Sequence, residues 1–470
     1  MHVKRGAPPF RLLWSIPHGA TAGNILRTGV LAGVLDAVPD AHVVLLSPLA
    51  ADPAFTNEFV HPRVAFDVLP PHTPGGFEGR LLGVIQARYL QVCKTDTLRI
   101  RGPKEFPGAA RFRAVKRTLG RALAPGGRRG RWYDTADRLV GDPAMDAVFE
   151  RHQPTLVATA SPGLIFSEIP VLRTARRHGI PSIAVDLSWD NLTNKFFPPR
   201  QVDRLLLWSS SMREEALALH GYHADRIMVT GVPQFDSYFR GPRSTRAEFC
   251  ARTGLDPSRK IITLATIPPS KFPHHEFVID RLIEAMTSGA IAQPADLLIR
   301  LHPRDNGRGY DRYAGPHVVV EKPFRQTSTR SGDGMDIDVM AENTRHLADT
   351  LHHSDVVLNV ASTLAIEASI FDTPVVNIGF DGQPGSNAAL LEWHYGSTHF
   401  SKVVRSGAVR IAQSAAEMAD LVNMYLAAPS TDTDGRARLV ADQCEFTDGR
   451  SAERVAAAIV RELVSQGVTH

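Results

Sequence analysis

The chain has 470 residues, 43% of them apolar and 22% charged, with 53 Lys and Arg against 49 Asp and Glu. That length asks for at least two cores, and that composition excludes a disordered or fibrous chain. A net charge of +4 selects no polyanionic partner, and the three cysteines (Cys93, Cys250, Cys444) form no CxxC pair that would suggest a disulfide framework or a zinc site.

Residues 1–19 are basic, and their apolar piece is too short for a signal peptide and lacks a cleavage site. No apolar run reaches the roughly 18 residues of a membrane-spanning helix. A cytoplasmic protein is expected.

In chain order, short apolar runs alternate with loops of small residues and helix-like segments, the pattern of parallel sheets covered on both faces. Residues 11–16 (RLLWSI) predict the first strand. Loop 17–24 (PHGATAGN) and a helix starting near Asn24 should follow. His18, Gly19 and Gly23 in that loop are candidate acceptor-binding residues, the glycines because they let a ligand approach the backbone closely. Strands are predicted at 42–47, 64–69, 155–160, 182–187, 204–209 and 226–231.

Segment 88–131 departs from the pattern, with thirteen Lys or Arg against two acids, Asp96 and Glu105, which leaves the rest of the chain net negative. Aromatic and aliphatic residues interrupt the charges, so the segment suits an anionic membrane surface or polyanionic acceptor. A solvated insertion accounts for it equally well. No RNA- or DNA-binding motif accompanies it.

After the predicted strand 182–187 come Asp186, Leu187, Ser188, Trp189, Asp190 and Asn191. Trp189 and Asn191 at a strand end suit a hydroxyl-bearing acceptor. Asp190 is the candidate general base that would deprotonate it, with Asp186 as competitor. Asp190 and Asn191 could equally cap the next turn.

Residues 231–244, rich in Gly, Pro and Ser, read as an interdomain linker. A second alternation predicts strands at 260–266, 296–302, 317–322, 355–361 and 374–380. Their carboxyl ends carry the donor-binding candidates, because open parallel sheets bind ligands there. Lys271 follows the first. Arg300, His302 and Arg304 surround the end of the second, where imidazole and guanidinium could hold phosphate oxygens. Ser362 or Thr363 would open the helix after the fourth, where free N–H groups favour a phosphate. Glu367 lies one turn further on the same face, placed for ribose hydroxyls. A simple N-cap explains the same hydroxyls. Residues 325–337 form a polar, lid-like loop, and Asp333 and Asp336 within it, with Asp338 just after it, make no convincing metal site.

The segments 230–236 (TGVPQFD), 300–305 (RLHPRD), 362–367 (STLAIE) and 448–455 (DGRSAERV) together resemble the GT-B proteins around CDP-glycerol glycerophosphotransferases and capsule polysaccharide glycosyltransferases. The resemblance covers most of the second half and thinly the first. It implies an α/β fold of two Rossmann-like domains with parallel sheets facing a central cleft. The acceptor domain would be residues 1–235 and the nucleotide-donor domain 245–447, with a helix in 448–470 crossing back to the first. It also implies that His302, Ser362 and Thr363 contact the donor's phosphates and that Glu367 contacts the ribose. Asn359-Val360-Ala361-Ser362 stands where the glycerophosphotransferases usually carry Asp-Tyr-Ser-Ser.

The expected activity is therefore metal-independent transfer, without a cofactor, of a sugar from a nucleotide-sugar donor to a glycan or lipid-linked acceptor hydroxyl. It would belong to surface-polysaccharide synthesis, in the cytoplasm or at the inner membrane face. A CDP-alditol phosphotransferase, a UDP-sugar 2-epimerase and a non-catalytic nucleotide-sugar-binding protein are the alternatives left open.

Overall fold

The fold was analysed in a computed structural model that describes residues 10–82, 95–97, 99–100, 137, 139–194, 202–322, 325–326, 337–338 and 341–467. Nearly all of the basic segment 88–131 and most of the polar loop 325–337 lie outside these residues. The chain divides into two compact units. Among the described residues, one is formed by 10–234, 337–338 and 450–467, the other by 235–326 and 341–449.

The first unit holds β1 (Phe10–Ser15), β2 (Ala41–Leu46), β3 (Val64–Asp67), β4 (Leu156–Thr159), β5 (Ser182–Val185), β6 (Arg204–Leu207) and β7 (Ile227–Val229). They form one sheet in the order β3-β2-β1-β4-β5-β6-β7, every neighbouring pair parallel. The order reverses between β1 and β4, which makes the carboxyl ends of that pair the switch point where such sheets admit ligands.

Helices cover both faces, so the strands are apolar without alternation. On one face the helix Val30–Ala37 packs with the chain's last helix, Ser451–Gly467, against β1 and β4. Val34, Val455, Ile459 and Leu463 are buried there. The two helices meet at Gly33, where an added Cβ would stand 3.0 Å from that of Ala456.

The predicted glycine loop after β1 is itself a helix, Gly19–Asn24, with Gly19 and Gly23 inside it. The His18 imidazole caps it, Nδ1 accepting the Thr21 N–H at 3.2 Å. Small side chains let this turn pack tightly, and Gly29, with φ +96°, turns the chain into the helix predicted nearer Asn24.

The second unit contains β8 (Lys260–Ala265), β9 (Ala295–Arg300), β10 (Val318–Glu321), β11 (Val356–Asn359), β12 (Val375–Ile378) and β13 (Val409–Ala412). Its sheet runs β10-β9-β8-β11-β12-β13, again parallel throughout, with the reversal between β8 and β11. The fold is thus a two-domain α/β fold of Rossmann-like halves. Strand β13 has no counterpart in the sequence reading. It is a four-residue edge strand carrying the exposed Arg410, too short and too polar to show as an apolar run.

The break between units falls inside the stretch read as a linker, yet that stretch is packed. Residues 233–235 form a 3₁₀ turn and Asp236–Phe239 a short helix. The Phe235 and Tyr238 rings are buried and stacked with centroids 5.4 Å apart, and Tyr238 also meets Phe371 at 5.4 Å.

Candidate functional site

Three adjacent strands of the second unit, β9, β8 and β11, end at its switch point and carry the predicted donor residues. Thr266, just past β8, is buried and its hydroxyl accepts the backbone N–H of His302 at 2.8 Å. This bond ties the loop after β9 to the loop after β8. The His302 Nδ1 accepts the Arg304 N–H at 3.0 Å. Burial lowers the imidazole pKa to about 4, helped by the charges of Arg304 and His275. The ring is therefore neutral near pH 7, and with Nδ1 accepting, Nε2 carries the proton and donates. Lys271 and Arg304 are exposed on the same two loops. His275 is buried beside them, its Nε2 3.1 Å from the N and O atoms of Ile267, and burial holds its pKa at about 4.

After β11, Asn359 Oδ1 accepts the Ser362 N–H at 3.4 Å and Ser362 Oγ accepts the Leu364 N–H at 3.3 Å. Ala361 between them adopts φ +38°, a left-handed conformation that costs a residue with a Cβ of order 1 kcal/mol or more. Such strain persists only where surroundings impose it. Here it turns the chain off the strand, so that half-buried Ser362 and Thr363 stand immediately before the helix Leu364–Ile370.

Two predicted donor contacts sit differently from expectation. Arg300 ends β9 with 4% exposure, and its Nη1 donates to Glu321 at 2.8 Å. Glu367 turns inward, where its carboxylate accepts the Tyr238 hydroxyl at 2.8 Å. Both are thus engaged within the protein, beneath the loops that carry His302 and Ser362. Sequence reasoning missed Thr266, Tyr238 and Asn359. Asn359 was visible only as a departure from the family pattern, and Tyr238 lay in the presumed linker.

In the first unit the residues after β5 form a tight local network. Asp186 is buried, and its Oδ1 accepts the Ser188 N–H at 3.2 Å and the Asn191 side-chain amide. The Trp208 indole donates to the Asp186 carbonyl at 2.9 Å. Asp190 is half buried, with Oδ1 accepting the Ser188 hydroxyl and Oδ2 the Asn194 amide at 3.0 Å. Trp189 is buried in its turn. His18 is committed to its helix cap, while Gly19 and Gly23 are buried helix residues. After the neighbouring β4, buried Glu168 accepts the Ala160 N–H at 2.7 Å and the Ser161 hydroxyl at 2.6 Å, which fixes the loop at this switch point.

Among the described residues, no group of three or more His, Cys, Asp or Glu side chains is arranged to hold a metal ion. Asp333 and Asp336 lie outside them, and of Asp338 only the backbone is described. No described helix is long and apolar enough to cross a membrane.

Residues 178–461 match the family model described as CDP-Glycerol:Poly(glycerophosphate) glycerophosphotransferase, which covers more than half of the chain. Similar solved structures include a glycosyltransferase from Rickettsia africae, at TM-score 0.50 and 9% identity, covering 97% of this chain and 98% of that one. The wall teichoic acid polymerase TagF is similar at TM-score 0.53 and 10% identity, covering 97% and 90%. S. aureus MnaA bound to UDP is similar at TM-score 0.52 and 11% identity, covering 96% of each chain. At these identities the likeness is one of fold. No curated protein matches the sequence.

Proposed function

The chain belongs to the CDP-glycerol:poly(glycerophosphate) glycerophosphotransferase family, and from that premise we propose that it transfers the activated group of a nucleotide-linked donor to an acceptor hydroxyl. The family makes an alditol phosphate such as that of CDP-glycerol the first candidate for the transferred group. A sugar from a nucleotide-sugar is the second, favoured by the departure at Asn359-Val360-Ala361-Ser362. In the first case the acceptor oxygen forms a bond to the donor's β-phosphorus and CMP departs. In the second it forms a bond to the anomeric carbon and a nucleoside diphosphate departs. Both leave new negative charge on a phosphate oxygen. The acceptor hydroxyl loses a proton that a base must take.

One observation carries the reading. A neutral imidazole with its proton on Nε2 stands at the switch point of the second sheet, on loops joined through Thr266, beside a strained turn carrying Ser362 and Thr363. Fixed neutral and cationic donors at that position suit a leaving phosphate, because they need no reorganisation as its charge develops. His302, Ser362 and Thr363 take the donor's phosphates, with Arg304 and Lys271 as flanking charges. Asp190 takes the acceptor's proton, with Trp189 and Asn191 shaping its loop and the Gly19–Asn24 turn lying on the acceptor side. The mechanism needs neither metal nor cofactor, and the acceptor is a glycan or lipid-linked glycan handled at the inner face of a membrane.

The test is thermal stabilisation by CMP, CDP, UDP, GDP and TDP in wild type and in His302→Ala. A ligand at a hundred times its Kd stabilises by about 2.7 kcal/mol. One nucleotide should raise the wild-type Tm by several degrees and leave the variant's unchanged. No shift with any of them at millimolar concentration would overturn the donor reading. Product analysis with the stabilising nucleotide's glycerol and sugar conjugates then separates the two transfers, and separates both from epimerisation, which consumes no acceptor.

A further inference from the structure

The last rung of the second sheet is polar, unlike the rungs beneath it. Register pairs Glu321 of β10 with Arg300 of β9, Arg300 with Ala265 of β8, and Asn359 of β11 with Asn377 of β12. Leu358 pairs with Leu264, so Asn359 stands beside Ala265. In a parallel ladder, partners in register point to the same face. Four of five neighbouring strands therefore send a buried or half-buried polar group to one face, at the level where the ligand-binding loops begin.

Glu367 lies in the helix that follows Ser362 and Thr363, within electrostatic range of Arg300 in this row. The residue is 9% exposed and its carboxyl takes the Tyr238 hydroxyl at 2.8 Å. Burial raises its pKa to about 7, opposed by the Tyr238 hydrogen bond and by the charge of Arg300. The Cys444 thiol also senses its charge, from the helix Thr433–Cys444, and burial pushes that thiol well above its ordinary range. Arg300 lies two residues before His302, and Glu367 four residues after Thr363. The Arg300 charge thus acts through space on Glu367, between the strand that presents the imidazole and the helix that presents the hydroxyls, while the Tyr238 hydrogen bond holds that helix directly.

We propose that Glu367, with Tyr238 and Arg300, is a positioning residue that fixes the spacing of the His302 loop and the Ser362–Thr363 turn for binding a nucleotide's phosphates. The inference rests on the donor reading above. It gives the buried carboxylate a role that contact with a ribose would not.

The experiment measures the Kd for CDP and the Tm of the full chain in wild type, E367Q, Y238F and the double variant. E367Q keeps an acceptor for the Tyr238 hydroxyl but removes the charge facing Arg300. E367Q should bind CDP about 10-fold more weakly, and Y238F about 3-fold, consistent with the loss of a charged and of a neutral hydrogen-bond partner. The double variant should fall short of the product of the two, as expected for groups acting as one unit. The ratio of E367Q to wild-type Kd should shrink as pH falls from 8 to 6, because protonated Glu367 then resembles the variant. The groups facing it are Tyr238 and Cys444, which stay protonated over that range, and the Arg300 guanidinium. Unchanged CDP affinity in E367Q and Y238F, with only a lower Tm, would make the contact purely structural and overturn the proposal. If E367Q does not fold, unchanged affinity in Y238F overturns it alone. Wild type that binds no nucleotide defeats the donor reading and this inference with it. Wild type that binds CDP as tightly as E367Q does defeats only this one.

Discussion

The carboxyl-terminal rims of the two sheets share a topology and differ in chemistry. Beyond β5 of the first sheet stand two carboxylates, Asp186 and Asp190, whose hydrogen-bond donors come from Ser188, Asn191 and Asn194 of the same loop. Beyond β9 and β11 of the second stand an imidazole protonated on Nε2, two hydroxyls and flanking cations; Thr266 joins the loop after β8 to the loop after β9, while Asn359 holds the Ser362 turn locally. A carboxylate can accept a proton. A set of N–H and O–H groups at a helix start can hold an anion. On the proposed function the first rim would supply a proton acceptor and the second an anion holder, and that proposal breaks if either rim can be neutralised without the matching loss.

The largest effect is expected at the first rim. Asp190→Asn keeps an acceptor for the Ser188 hydroxyl, gives up the one for the Asn194 amide and removes the basic site, and should lower kcat about 10²- to 10⁴-fold with at most a small loss of Tm. Its nucleotide affinity should be unchanged. Asp186→Asn can keep its acceptor oxygen on the Ser188 N–H and the Asn191 amide, and should leave kcat largely unchanged. A D190N enzyme with full turnover would leave Asp190 as a turn-forming residue, and a D186N enzyme that is folded but inactive would transfer the role of base to Asp186.

A smaller loss belongs to the second rim. Ser362→Ala with Thr363→Val removes two hydroxyls while Ala361 and its strained turn remain. At about 1 kcal/mol for each neutral hydrogen bond, nucleotide affinity should weaken roughly 10- to 30-fold. Ser362 Oγ also accepts the Leu364 N–H, so a decrease in Tm is expected as well. Calorimetric titration with CDP separates the two effects, and a Tm loss with unaltered CDP affinity would reduce these hydroxyls to caps.

The same contrast governs what could be read from the sequence. Strands buried on both faces declare themselves as unbroken apolar runs, so twelve of the thirteen strands described above were legible, and with them the loops that carry His302, Lys271 and Ser362. Strand β13 escaped because an edge strand with an exposed arginine has no such run. Side-chain direction escaped as well. Helical spacing placed Glu367 one turn after Thr363 but could not tell that it faces inward, because its partner Tyr238 is 129 residues away. A Gly-Pro-rich composition suggested a loose linker where two stacked aromatic rings anchor the chain. The PHGATAGN stretch reads as a loop by its glycines and folds as a helix because His18 caps it, and local propensity yields when a cap and tight packing agree.

The smallest effect is the acid response of the second rim, which bears on His302 directly. The His302 pKa is about 4 in the folded chain and about 6.5 when unfolded. Above pH 6.5 the ring is neutral in both states and costs nothing. Between pH 6.5 and 4 the unfolded chain takes up a proton that the folded chain refuses, so stability falls as pH falls through that window. His275, also near 4, adds a loss of the same sign. Glu367, raised to about 7, acts oppositely, since its contribution is complete below about 4.5 and fades as pH rises through 7. His302→Asn, whose carboxamide can still accept the Arg304 N–H, should therefore lose about 2 kcal/mol less stability than wild type between pH 7 and pH 4. A bound phosphate reverses the imidazole's preference by favouring its charged form. Nucleotide binding at pH 5.5 should accordingly take up more protons in wild type than in H302N, the difference being the imidazole's own, as read by calorimetry in buffers of different ionisation enthalpy. Equal proton uptake in the two proteins would place the phosphates away from His302 and require the anion-holding role to pass to Arg304 and Lys271.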